Sequence, residues 1–161
     1  MLSIEIVGDE ALQKRFANMP TEVRKALKNK ITALTLKLEA HVKNDKLSGQ
    51  VLKVQSGALR RSITSEVVDN GVNITGRVYS AGDVKYAAIH EFGGKTAAHE
   101  ILPTKAKALH FMMGGKDVFA KRVNHPGSVI PMRSYLRSAL ADMRVEIATQ
   151  MEQAVRQAVR E

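Results

Sequence analysis

The sequence predicts an α+β domain: an antiparallel sheet of about four to five strands, packed by a long helix in the N-terminal half and a second long helix at the C-terminus. Three observations carry this expectation. Val23, Leu27, Ile31, Leu34, Leu38 and Val42 recur every three or four residues, and so do Leu136, Leu140, Met143, Ile147, Met151, Val155 and Val159. Each set marks one face of a helix. Between them, Val72, Ile74 and Val78 alternate with Asn73, Thr75, Arg77 and Tyr79, the period of a strand with one wet face.

In chain order, "SIEIV" (Ser3 to Val7) alternates and reads as a short strand. Asp9 then offers an N-cap for a helix that Pro20 ends or re-sets. The first long helix is expected from about Thr21 to Lys46, with Arg24, Lys25, Lys28 and Lys30 on its wet face. "NDKLSGQVLKVQSGAL" breaks the period and holds two Ser-Gly pairs, so a flexible loop is expected over about 43–58. Asn70-Gly71 marks a hairpin turn, because both residues tolerate positive φ. "VKYAAIHEF" reads as a third strand, turned off by Gly93 and Gly94. "KALHFMM" and "VFAKRV" form a second hairpin with Gly114 and Gly115 at its turn, and "NHPGSVIP" is a loop. The last helix follows Pro131, its arginines answered by Asp142, Glu146, Glu152 and Glu161. One domain spans 1–161.

Composition narrows the function. The absence of Cys removes disulfides, thiolate metal sites and cysteine nucleophiles. Aromatics are 4% with no Trp, so the core is aliphatic and Met-rich. No run approaches the roughly 18 apolar residues of a membrane span, and the N-terminus lacks a signal-peptide pattern. A formal net charge of +9 asks for an acidic partner: nucleic acid, an anionic surface or an acidic protein.

No catalytic, cofactor or metal residue is assigned. His90-Glu91 is not the helical HExxH zinc motif, because position 94 is Gly. On a strand, adjacent side chains would also point to opposite faces. His41, His99, His110 and His125 lack ligand spacing. Neither Gly-Gly-Lys stretch has the frame of a phosphate-binding loop, and no GxSxG occurs. Lys46, Lys53, Arg60 and Arg61 sit in a stretch without an acid, yet no helix-turn-helix, zinc finger or aromatic platform accompanies them. That favours protein partners over sequence-specific DNA reading. The basic loop suits docking to an acidic partner, and equally suits a mobile surface loop with no role.

Five stretches in order carry a resemblance: "SGALRRSI" (Ser56 to Ile63), "YAAIHEFGG" (Tyr86 to Gly94), "ILPTKAKALHF" (Ile101 to Phe111), "VFAKRVNHPG" (Val118 to Gly127) and "IPMRSYLRSAL" (Ile130 to Leu140). Together they resemble the tail-component or tail-completion family of long-tailed double-stranded-DNA bacteriophages, small virion morphogenesis proteins of the head–tail junction. The usual "PARPFL" reads "PMRSYL" here: Tyr135 keeps the aromatic, and Ser134 replaces a proline. The resemblance implies a non-enzymatic subunit without cofactor. It implies a ring, a hexamer by analogy with tail terminators, assembled in the host cytoplasm and retained in the virion. Its implied partners are itself, the tail tube protein, the head connector or head-completion protein, and genomic DNA passing non-specifically through the channel. There is no membrane partner. Docking candidates are Lys46, Lys53, Arg60, Arg61, His90, Glu91, Phe92, Arg133 and Tyr135, and turn candidates are Asn70, Gly71, Gly93, Gly94, Gly114 and Gly115. The alternative is a basic nucleic-acid-binding accessory protein of phage assembly.

Overall fold

The computed structural model describes residues 2–5 and 21–160. The helix expected after Asp9 lies outside the described residues. The α+β class holds, with long helices where the periodicity placed them. Strand β1 (Leu2–Glu5) pairs antiparallel with β3 (Ile74–Ser80), which pairs antiparallel with β2 (Ile63–Asp69), giving a three-stranded sheet in the order β1-β3-β2.

Helix α1 (Thr21–His41) packs on both β2 and β3. Its approach to β3 is close: a Cβ added to Gly76 would lie 2.0 Å from Thr35 Oγ1, so only glycine fits beneath the helix. The C-terminal helix α4 (Leu136–Arg160) runs antiparallel to α1, as the cross-links show: Lys30 to Gln150, Lys37 to Glu146 and His41 to Asp142. Leu38, Val42, Ile63, Val78, Leu136, Ala139 and Met143 meet in one buried cluster that joins helices and sheet.

The loop expected over 43–58 is corrected in its first half. The chain stays helical past Val42 in wider π-type turns until Gly49, at φ 133°, kinks it, and Val42 and Leu47 both enter the core. The step from Val42 to Leu47 is five residues, which breaks the 3.6 period but suits the i→i+5 bonding of a π turn. Beyond the Gly49 kink, residues 51–57 are irregular, before the short helix α2 (Ala58–Ser62).

The hairpin at Asn70-Gly71 is present, but its loop is longer than two residues. Only Gly71 has positive φ, and Asn70 Oδ1 accepts from the N–H groups of Val72 and Asn73 at 3.0 and 2.7 Å. The side chain thus replaces part of the backbone turn.

"VKYAAIHEF" is not a strand. Ala87–Phe92 is helix α3. A short apolar run is ambiguous between the two states, and the tertiary position of Glu91, one turn from Ala87 on the buried side, decides for helix.

The remaining strands do not extend the sheet. β4 (Gly94–Lys95) pairs with β9 (Val129–Ile130), β5 (His99–Ile101) with β8 (Val123–His125), and β6 (Leu109–Met113) with β7 (Lys116–Ala120). These ladders nest inside one another as one long arm, part of it built from the segment "NHPGSVIP" expected to be loop. Gly114 and Gly115, both at positive φ, turn its tip as the sequence predicts.

Candidate functional site

The arm leaves the body between α3 and α4, and one carboxylate fixes both of its feet. A helix begins with N–H groups that have no partner inside it. At the start of α4 those donors converge on Glu91. Its Oε2 accepts from the Tyr135 and Leu136 N–H groups, each at 2.8 Å, and its Oε1 accepts from the Arg137 N–H at 3.1 Å. Ser134 Oγ and Arg137 Nε donate to the same Oε1 at 2.6 and 3.0 Å. Arg137 also reaches the Glu91 carbonyl at 2.9 Å, and its guanidinium lies over the Phe92 ring at 4.8 Å. The carboxylate acts as a cap supplied from another helix, at the positive end of the α4 dipole.

Electrostatics follow from this geometry. Burial alone raises the Glu91 pKa, but the bonds from Ser134, Leu136 and Arg137 outweigh it and hold the carboxyl below its usual range. Tyr135 is raised above its ordinary value, first by burial and then by the Glu91 charge. Its hydroxyl donates to the Ala87 carbonyl at 3.3 Å.

Beside this knot, the 47–60 segment and α3 enclose a groove of about 370 Å³. Leu47, Leu52, Val54, Leu59 and Tyr86 give it an apolar lining, and Lys53 and Arg60 stand at it. His90 faces it too. Among the described residues nothing bonds His90 Nδ1, and burial together with the Arg133 charge lowers the imidazole pKa.

The arm is the third component. No residue from Phe92 to Ser134 is buried. Met112, Met113, Phe119 and Val129 are each more than two-thirds exposed.

The docking candidates therefore separate. Lys53, Arg60 and His90 share the groove. Arg61 is exposed beside it and holds the Ser56 carbonyl at 3.1 Å. Arg133 is exposed and donates its N–H to the His90 carbonyl at 2.8 Å, tying the arm's second foot to α3. Phe92 lies half-exposed under Arg137. Lys46 is drawn away to Asp142 at 2.6 Å and is 9% exposed. Glu91 and Tyr135 are 1% and 0% exposed, so within this fold they offer a partner no surface; they hold the subunit together. Of the turn candidates, Gly93 is the most constrained: at φ 71° its missing Cβ would lie 2.9 Å from the Met132 nitrogen.

Sequence reasoning missed Arg137, and read Ser134 only as a lost proline. A polar residue just before an apolar helical period is the signal that could have marked Ser134. Among the described residues, no group of three or more His, Asp or Glu side chains is placed to hold a metal ion. No described helix is long and apolar enough to cross a membrane.

The sequence profile of the phage virion morphogenesis family matches residues 32–161, which takes in every component above: groove, knot and arm. No curated protein and no solved structure matches the chain. The match covers most of the sequence, and the chain belongs to the phage virion morphogenesis family.

Proposed function

We propose that this protein is a structural subunit of a ring at the head–tail junction of a long-tailed phage. There it completes the tail tube, joins it to the head connector or head-completion protein, or does both. Its role is positional and not catalytic. One observation carries the reading: the arm spends some forty residues on a hairpin without a buried side chain, and a two-stranded ladder is marginal alone in water. Such an element is built to be covered by other protein. Family membership supplies the setting, and the loop-rich groove face supplies a second surface for neighbours.

The test is the mass of the purified protein by light scattering, over a range of concentrations and with added tail tubes. A discrete ring, six-fold by the analogy with terminators, or a monomer that assembles on tubes, is the expected result. A chain that stays monomeric in both conditions counts against the reading.

A second reading has its own observation. Lys95, Lys105, Lys107, Lys116, Lys121 and Arg122 on the arm are all exposed, against the acids Glu100 and Asp117 alone. A basic accessory protein that holds DNA would use this surface. Its affinity would fall steeply with salt and would be present in the monomer.

A further inference from the structure

We infer that the arm tip of one copy seats in the groove beside α3 of the next copy, so that the chain assembles head to tail. The inference rests on the ring reading above and names its contact.

The tip lacks the pattern of a strand with one wet face. "ALHFMM" places apolar residues at both odd and even positions, broken only by His110, where a half-wet strand would alternate. By the register, Leu109, Phe111 and Val118 share one face, and Met112 and Phe119 share the other with His110 and Asp117. Leu109, Phe111 and Val118 are partly shielded, whereas Met112 and Phe119 are 69% and 70% exposed. The groove has the opposite shape and the same chemistry. It is concave, lined by aliphatic side chains and Tyr86, and holds no occupant among the described residues.

No residue of the arm lines its own groove. Tyr86, just before α3, and His90, on it, stand at the arm's foot. The shorter side of the arm, Lys116 to Ile130, reaches on the order of 45 Å when extended at about 3.3 Å per residue. All three ladders lie along the chain between that foot and the tip. A second copy can bring tip and groove together, and such a contact joins two different patches, so it closes into rings or runs on as a filament.

Charge fits the same pairing. Asp117 lies directly across from Met112, on the face that also carries Phe119; it bonds His110 Nε2 at 2.7 Å, and its side chain stays 65% exposed. Lys53 stands at the groove with no carboxylate partner among the described residues, and Arg60 lies beside it. Seating the tip places the one acid of that face against these cations.

The chain has no cysteine, so introduced thiols report this contact without background. A disulfide forms only when two Cβ atoms come within about 4.5 Å. Met112→Cys and Val54→Cys, both exposed sites, are made in separate full-length chains, mixed and oxidised, alone and with tail tubes. The expected result is a covalent mixed dimer, with Met112→Cys plus Val145→Cys giving none. The double variant Met112→Cys/Val54→Cys is expected to give a ladder that stops at the closed ring. Phe119→Asp is expected to weaken self-association about tenfold or more. Oligomers that form without the 112–54 bridge, or a tip that cross-links to tube protein, would overturn this contact and leave the ring standing. A chain monomeric in every condition would overturn both.

Discussion

The body and the arm draw on the same residue types and end in opposite surroundings. In the body, Leu27, Ile63, Val78 and Leu136 are almost wholly shielded, and even a carboxylate, Glu91, is enclosed with a partner for each lone pair it turns inward. In the arm, Met112, Phe119 and Val129 face solvent, and order comes from backbone ladders, local stacks such as His110 on Phe119 at 4.7 Å and exposed pairs such as His110 to Asp117 at 2.7 Å. The body is a finished object. The arm is half of one. Stability and assembly should therefore separate cleanly by substitution, with large folding effects in the body and almost none at the tip.

The largest expected effect breaks the junction between the two. Glu91→Ala strands the opening N–H groups of α4 and the Arg137 charge, and should cost about 3–5 kcal/mol by urea denaturation. The same site sets an acid limit. Its folded pKa lies below the unfolded value, so its contribution is full above the ordinary Glu range and is lost as pH falls through the folded value. Urea midpoints measured toward low pH should fall in the native chain and fall less steeply in Glu91→Gln. Gly76→Ala comes next. The new methyl group collides with Thr35, and about 1–3 kcal/mol of overpacking should appear in thermal or urea melts. Lys37→Ala removes a surface pair to Glu146 and should cost about 0.2–1 kcal/mol. Phe119→Ser is the smallest. Dilute subunit stability should stay within about 0.5 kcal/mol while self-association drops. A large loss of subunit stability there would erase the contrast between arm and body. Hydrogen exchange would sharpen it: β6 and β7 amides should exchange far faster than those of β3 in the dilute subunit, and slow on assembly.

What was legible in the sequence follows from the range of the interaction. The faces of α1 and α4 repeat every turn, so a few adjacent residues reveal them. Gly114-Gly115 announces its own turn because positive φ is a local demand. Helix α3 was hidden because six residues hold too few turns to show a period. The role of Glu91 was hidden because its partners lie more than forty positions away and no spacing links them. One cue existed. A charged residue inside "AAIHEF" needs bonded partners if the run is buried, and an unfinished helix start is a ready source of donors. The detachment of the arm was the least legible of all. Continuous apolar strands say that both faces will be covered, but not whether the cover comes from the same chain.

The feet of the arm nearly touch. The Arg133 N–H reaches the His90 carbonyl at 2.8 Å, and Gly93 packs against the Met132 backbone. The body therefore closes on itself whatever lies between those points, and the arm is a loop that can be lengthened or shortened without rewriting the core. Side chains alternate along each strand, so adding or removing one residue pair on both sides swaps the faces, and two pairs restore them. The reach of the subunit is thus adjustable in discrete steps of about 7 Å, two residues at roughly 3.4 Å each. That makes the arm a gauge whose length can change in whole steps while everything beneath it stays the same.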